Sequence, residues 1–242
     1  MKEYCIIIIL VILASCKADK KYGTLQQGEA IVEGQVELHD NSSKAVTLIH
    51  GNRIDGTEIK TEVLDSTGKF RFEFKILHPH HITIRYDEGN AGLFAHPGDS
   101  LHLTFNASAF QKAKFPDYEI SGNSLETSKN IQHFMQYREK HVKDFNPKKY
   151  SKLSVKNYLE KLRQQISHED SVLSVFREKQ RPTGEFATWA KNHITYQNAN
   201  YLIFYNYYNR DLKHEESRAL FDKALFPVSN EDAFVSRLYA LH

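Results

Sequence analysis

The chain has 242 residues, of which 40% are hydrophobic and 26% are charged, a composition that excludes collagen-like, low-complexity and generally disordered proteins. Its length allows one domain or two small ones. The net charge of +2 at pH 7, from interspersed charges, gives no electrostatic indication of nucleic-acid binding. The two cysteines, Cys5 and Cys16, exclude a disulfide-rich scaffold and a CxxC redox motif.

The N-terminus is predicted to be a targeting signal. An uninterrupted apolar run, residues 6–13 (IIIILVIL), follows a short polar start. A run of this size is too short to span a bilayer of about 30 Å and fits the apolar region of a secretory signal. Residues 13–16 (LASC) resemble the lipobox of bacterial lipoproteins, which implies cleavage before Cys16 and lipidation of its thiol. The alternative is an uncleaved anchor with an incidental cysteine.

Cleavage before Cys16 would remove a signal peptide at residues 1–15, and Cys5 with it. Residues 16–29 would then form a tether that ends in the lipid. Acyl chains contribute about 0.8 kcal/mol per buried methylene, so several chains together give stable anchoring. Because no acidic run follows Cys16, we expect a lipid-anchored protein in the bacterial cell envelope that faces the periplasm.

Residues 30–121 alternate with a period of two, which predicts an antiparallel β-sandwich. The clearest strand is 70–76, where three phenylalanines and an isoleucine share one face and charged residues share the other. Turn clusters lie at 65–68 and 97–99. Further strands are predicted at 31–38, 46–49, 57–64, 81–86, 92–95, 101–105 and 118–120.

From residue 122 onward the apolar period is that of a helix, which predicts an all-α domain over 122–242. Asn123 or Ser124 is a candidate N-cap for the first helix, and Pro147 and Pro182 interrupt the pattern. Later helices are predicted at 154–180, 186–208, 215–226 and 230–241. The predicted fold class is therefore α+β, an N-terminal antiparallel β-sandwich followed by a C-terminal helical domain.

Several local motifs follow the lipobox in a fixed order. They are 34–36 (GQV), 65–72 (DSTGKFRF), 95–101 (AHPGDSL), 120–126 (ISGNSLE), 201–205 (YLIFY) and 226–233 (FPVSNEDA). Together they resemble the N-terminal, non-catalytic region of TlpA-like, thioredoxin-family lipoproteins of the Gram-negative envelope. In that family the region precedes a thioredoxin-like domain with a CxxC motif, which this sequence lacks. Thiol–disulfide exchange needs an attacking and a resolving thiol, so no redox activity and no catalytic residue are carried over.

The β region contains a group of histidines that raises the question of a metal site. They are His78, His80, His81, His96 and His102. On a strand His78 and His80 would share a face, a spacing that can chelate. Pro79 interrupts the strand, and no cysteine or clear carboxylate completes a ligand set. The sequence therefore favours a solvated strand edge, and no metal site is predicted.

A run of aromatic residues in the helical half could form a stacking platform for sugars or peptides. Its members are Trp189, Tyr196, Tyr201, Phe204, Tyr205, Tyr207 and Tyr208. Because Tyr201, Phe204, Tyr205 and Tyr208 recur at helical spacing, packing in the core is the favoured interpretation.

A catalytic site receives little support from the sequence. His96, Asp99 and Ser100 supply base, acid and nucleophile types, but residues 97–99 are explained as a turn and no nucleophile-elbow pattern surrounds the serine. There is no P-loop and no dinucleotide fingerprint. We therefore predict no catalytic residue, cofactor or metal, and Cys16 as the only site, a lipidated one.

The function predicted from the sequence is that of a non-enzymatic, lipid-anchored accessory module of the envelope, related to thioredoxin-like disulfide reductase lipoproteins. Its expected partners are the membrane, through the lipid, and a separate thioredoxin-like protein, with no nucleic acid. The alternative is a lipoprotein that binds a glycan or a peptide.

Overall fold

The computed structural model describes residues 27–37, 43–52, 56–220, 226–227, 230–236 and 238. The predicted signal peptide and Cys16 lie outside these residues. Eight strands form the N-terminal part. They are β1 (Gly28–Glu37), β2 (Ala45–Asn52), β3 (Gly56–Val63), β4 (Lys69–Ile76), β5 (His80–Tyr86), β6 (Gly89–Ala95), β7 (Ser100–Asn106) and β8 (Glu119–Gly122).

The strands form two four-stranded sheets, with strand orders β4-β1-β7-β8 and β3-β2-β5-β6. In β4, residues 70, 72, 74 and 76 are buried and their neighbours are exposed, as the alternation in the sequence predicts. Buried side chains from both sheets form one core, so the sandwich followed by helices is confirmed. One pairing departs from the prediction of an antiparallel sandwich, since β1 runs parallel to β7. These two strands are distant in sequence, and nothing in the period of either strand records its direction.

The helical part begins within the β region and continues beyond it. The helices are α1 (Ala107–Lys112), α2 (Leu125–His141), α3 (Pro147–Tyr150), α4 (Val155–Gln180), α5 (Gly184–Tyr208) and α6 (His214–Leu220), with a 3-10 helix at Glu231–Val235. The long helices α2, α4 and α5 confirm the periodicity. The short helices α1 and α3 were not predicted, and Pro147 starts α3 because its fixed φ suits a first helical turn. The predicted helix at 230–241 is a 3-10 helix over 231–235 in the part described.

The outer face of the sheet that contains β5 and β6 is covered by helices. In β6, Leu93 belongs to the sandwich core, whereas its neighbour Phe94 belongs to a second core with Phe134 of α2 and Trp189 of α5. This strand is therefore buried on both faces. The junction between sheet and helices contains the cleft and the cluster around His96.

Deeper in the helical part, α2 and α4 are joined by an ion pair between Arg138 and Glu169, with 2.9 Å between Nη2 and Oε1. Both side chains are almost fully buried, at 3% and 1% exposure. Burial alone would lower the pKa of Arg138, but the Glu169 carboxylate outweighs it and raises that pKa. Two buried charges that satisfy each other fix the relative position of these two helices.

Among the described residues, none of the helices combines the length and the apolar character needed to cross a membrane.

Candidate functional site

A cleft opens where the outer face of β5 and β6 meets α2, α5 and the loop before β8. Its volume is about 300 Å³. That is the lower end of the range of about 300–1,000 Å³ typical of small-molecule sites. At about 30 Å³ per molecule of liquid water, it equals about ten waters.

A glycine creates the space at the floor of this cleft. Gly92 of β6 lies opposite Thr83 of β5, and both residues line the cleft. A Cβ atom at position 92 would lie 2.5 Å from Nε2 of His81 and 3.2 Å from Cγ2 of Ile131. A side chain here would therefore displace the imidazole of His81. The absence of a side chain at Gly92 leaves this space open at the base of the cleft.

One wall is built from stacked rings on α5 and β5. Trp189 and His193 are four residues apart on α5, so they share a face. Their rings stack with centroids 4.8 Å apart, and the His81 ring lies 5.3 Å from the indole. Trp189 is fully buried, and its indole N–H has no hydrogen-bond acceptor in the part of the chain that is described. A buried donor without a partner costs about 1–3 kcal/mol, so the wall is not optimised for packing alone.

The opposite rim is the loop at residues 113–118, which hydrogen bonds hold in place. The Tyr118 hydroxyl donates to the carbonyl of Gly92 at 2.8 Å, and Gln132 of α2 donates to the Tyr118 carbonyl at 3.2 Å. Gln136, one turn further along α2, donates to Oδ1 of Asp117 at 2.7 Å. Burial raises the pKa of Tyr118 far above its usual value, so the hydroxyl stays protonated and keeps donating.

Basic side chains line the cleft. Arg85 and Lys114 line it together with His81 and His193, and no aspartate or glutamate is among its described lining residues. Lys114 is partly neutralised, because its Nζ lies 2.8 Å from Oδ2 of Asp144. Arg85 donates from Nε to Oδ1 of Asn90 at 3.2 Å. The exposed guanidinium of Arg85 is thus the main positive charge of the cleft.

A second group of polar side chains, the His96 cluster, lies at the other end of the same junction between sheet and helices. It consists of His96, Asp99, Ser124, Thr127 and Glu185. His96, just after β6, places Nε2 2.7 Å from Oε1 of Glu185 at the start of α5. Its Nδ1 lies 3.1 Å from Oδ2 of Asp99 and 2.5 Å from Oγ of Ser124. The Ser124 hydroxyl donates to the same Asp99 oxygen at 2.5 Å, and the Thr127 hydroxyl donates to Oε2 of Glu185 at 2.8 Å.

The two carboxylates hold His96 in its charged form. Burial alone would lower the pKa of His96, but its hydrogen bonds and charge interactions with Asp99 and Glu185 raise that pKa to about 9. Burial would raise the pKa of Asp99, but the hydrogen bonds from His96 and Ser124 outweigh it and lower that pKa. At neutral pH the cluster is an imidazolium between two carboxylates.

This arrangement has the composition of a Ser-His-carboxylate triad but not its protonation. A general base must hold an available lone pair, and an imidazolium that donates from both ring nitrogens has none. Ser124 also occupies the N-cap of α2 with a left-handed backbone, φ +51°, and its side chain does not cap the helix. Its hydroxyl is engaged by Asp99 instead, so the cluster acts as a joint between the sandwich and two helices.

The structure brings together only part of the constellation considered in the sequence. His96 and Asp99 are in contact, but the serine in the cluster is Ser124 and not Ser100, and Glu185 was not foreseen. Glu185 is 89 positions from His96 along the chain, and no local pattern could have linked them. The role of Asn123 or Ser124 as a capping side chain was predicted, and Ser124 holds the position without the hydrogen bond.

The interpretation of His78 and His80 as a solvated strand edge was wrong. They are 1% and 3% exposed, and their rings lie 5.0 Å apart. His80 donates from Nδ1 to the carbonyl of His78 at 2.9 Å and accepts from the N–H of Gly51 at 3.0 Å, so both ring nitrogens are engaged. His102 is half-exposed near Glu33. Within the described ranges, no three histidine, cysteine or acidic residues are arranged to hold a metal ion.

The aromatic run on α5 divides into a buried and an exposed group, with Tyr201 partly buried. Trp189, Tyr196 and Tyr205 are buried, as the core interpretation predicted. Phe204, Tyr207 and Tyr208 are exposed by 43% or more, which the core interpretation did not predict. Of the whole run, only Trp189 lines the cleft.

Known proteins offer no further guide to the cleft. Comparison with protein families, with curated proteins and with solved structures finds no match for this chain. A function for the cleft must therefore be argued from its geometry.

Proposed function

We propose that this chain is a lipid-anchored protein of the bacterial envelope whose folded part is a non-catalytic binding module, with the cleft as its ligand site. One observation carries the proposal. The cleft places the exposed guanidinium of Arg85, which has no acidic partner among the described residues, beside a buried tryptophan and apolar side chains, and its described lining contains no carboxylate. A concave site with convergent polar groups over an apolar wall has the general form of a small-ligand site.

The location rests on the sequence. The apolar run at 6–13 and the LASC motif at 13–16 support lipidation at Cys16. A lipid anchor would concentrate the module at a membrane surface, where an accessory partner of a thioredoxin-like protein would also work. This relation is supported by the order of the motifs between residues 34 and 233.

Binding is tested with the purified full-length protein in mild detergent. The chain has one tryptophan, and because Trp189 lines the cleft its fluorescence reports on occupancy. We expect at least one member of a panel of short peptides, N-acyl amino acids and oligosaccharides to change this fluorescence saturably and to raise the melting temperature. A panel that leaves both unchanged would overturn the binding module.

The anchor is tested by replacing Cys16 with alanine. We expect the wild-type protein to incorporate radiolabelled palmitate and to sediment with membranes, and the Cys16→Ala variant to lose the label. Cys5→Ala is the matched control and should behave like the wild type, because Cys5 belongs to the predicted signal. Equal labelling of the wild type and Cys16→Ala would refute the anchor.

The absence of catalysis is tested at the serine of the His96 cluster. We expect no labelling of Ser124 by a fluorophosphonate probe and no reduction of insulin by the purified protein. Labelling of the wild type that Ser124→Ala removes would identify a hydrolase and reverse this part of the proposal.

A further inference from the structure

We propose that the ligand of the cleft is a monocarboxylate carried on an aromatic or branched aliphatic body, as found at the C-terminus of a peptide that ends in such a residue. This inference rests on the proposed function, since it names the substrate class of the same site. Free N-acyl amino acids and peptide C-termini share this chemistry.

The charge of the cleft selects an anion. Arg85 is exposed at its mouth, it uses only Nε for Asn90, and no ion pair joins it to another described residue. The terminal nitrogens of a guanidinium match a carboxylate in a two-pronged geometry. A carboxylate in the lining would repel such a ligand, and the described lining has none.

The number of charges selects a monoanion. Lys114 already pairs with Asp144, and its Nζ also lies 5.4 Å from the centre of the Phe115 ring. Arg85 is then the one strong cation of the described lining without an acidic partner. A single guanidinium matches one carboxylate, whereas a phosphate dianion is usually met by several cations or a helix N-terminus.

The rest of the lining selects an apolar body. Ile131 and Met135 of α2 face the cleft beside Trp189, and Phe115 and Tyr118 contribute rings from the loop. Flat rings pack against rings and branched aliphatic groups, and methionine adapts to either. A neutral sugar would offer no counter-charge to Arg85. The volume of about 300 Å³ fits a body of one or two residues.

The test compares a carboxylate with its amide. N-acetyl-phenylalanine and N-acetyl-phenylalaninamide share one apolar body and differ in charge, and each is titrated against the full-length protein while Trp189 fluorescence is followed. We expect the acid to bind at least about tenfold more tightly than the amide, and added salt to weaken only the acid. A short peptide ending in Phe, with a free or an amidated C-terminus, is the second pair. Preference for the free peptide without binding of N-acetyl-phenylalanine would identify a peptide C-terminus as the source.

Arg85→Gln separates charge recognition from general packing. We expect it to weaken binding of the acid at least about tenfold and to leave the amide unchanged. Arg177→Gln is the matched control, because Arg177 is exposed on α4 and does not line the cleft. Melting temperatures of both variants confirm that they fold.

The outcomes distinguish this inference from the proposed function. Equal binding of acid and amide, or binding of the acid that Arg85→Gln leaves intact, would overturn the carboxylate and retain the binding module. Saturable binding of an oligosaccharide, with no response to N-acetyl-phenylalanine or to the peptide with a free C-terminus, would also overturn the carboxylate and retain the binding module. If no probe changed the Trp189 fluorescence, both the carboxylate ligand and the binding module would be overturned.

Discussion

The two ends of the junction between sheet and helices use similar residues for different purposes. At one end His96 contacts Glu185 of α5, and at the other His81 contacts Trp189, one turn further along the same helix. The first end supplies two carboxylates for its histidine, and the described lining of the cleft supplies none. The charge of His96 is paired with carboxylates of the same chain and stabilises the fold. The charge of Arg85 has no acidic partner among the described residues and is available to a ligand.

The difference is energetic as well as geometric. A partly buried charge is costly unless partners offset its loss of water, and Asp99 and Glu185 do so for His96. Arg85 avoids that cost by remaining exposed at the mouth of the cleft. The comparison therefore predicts that changes at the His96 cluster act on stability, and that changes at Arg85 act on binding.

The largest expected effect is on the pH dependence of stability. The pKa of His96 is raised from 6.5 to about 9, so its stabilising contribution is complete below about pH 6.5 and is lost as the pH rises through about 9. At about 1.4 kcal/mol per unit, the shift corresponds to about 3 kcal/mol as an upper limit. Urea unfolding across this range should show the free energy of unfolding falling with pH in the wild type and much less in His96→Gln.

A half-exposed histidine supplies the control for this experiment. His102→Gln removes an imidazole whose side chain is 50% exposed, and it should keep the wild-type pH profile. Because the pKa of Asp99 is lowered, its own contribution is present above its unfolded pKa near 3.8 and is lost in acid, outside the tested window. Identical pH profiles of the free energy of unfolding for the wild type and His96→Gln would refute the stabilising role of the charged His96.

A smaller effect is expected from filling the floor of the cleft. In Gly92→Ala the new Cβ would meet Nε2 of His81 at 2.5 Å, so the imidazole must move. We expect a loss of about 1–3 kcal/mol in the free energy of unfolding, as for other overpacked sites, and altered Trp189 fluorescence. Adding His81→Ala should recover part of the loss, because it removes the group that is struck. A double variant that unfolds as the sum of the two singles would argue against this contact.

The smallest expected effect on stability is at Arg85. Arg85→Gln should change the free energy of unfolding by no more than about 0.5 kcal/mol, since it removes an exposed charge without an acidic partner. Glu185→Gln, at the matched end, should cost about 1–3 kcal/mol, because it withdraws a partner from the charged His96. Chemical denaturation of the two variants side by side compares their losses in the free energy of unfolding. Equal losses would show that Arg85 and Glu185 contribute alike to stability.

Elements with long, strong periodicity were predictable from the sequence. The alternation of β4 and the amphipathic pattern of α4 each carry many repeats of the same signal. The helices α1 and α3 have six and four residues, too few to establish a period. Their local signals are the caps Asn106 and Asn146, whose side chains accept from Ala109 and Lys149, and Pro147 at the start of α3.

The candidate site was less predictable, because its parts meet only in three dimensions. The cleft unites β5, β6, α2 and α5, and its defining residue is a glycine that in sequence looks like a weak point in a strand. Ser124 and Glu185 reach His96 from 28 and 89 positions away. The sequence shows the histidines, but it does not show which of them has a carboxylate neighbour in the folded chain.

The contacts that build the rim of the cleft also protect the sheet. The strand β6 is at the edge of its sheet, where backbone groups would otherwise be available to another strand. The Tyr118 hydroxyl occupies the carbonyl of Gly92, and the Ser128 hydroxyl takes the N–H of Phe94 at 2.9 Å. With α2 lying along this edge, β6 cannot add a strand from a second molecule there. Tyr118, which shapes the rim of the cleft, thereby also guards with Ser128 against edge-to-edge aggregation.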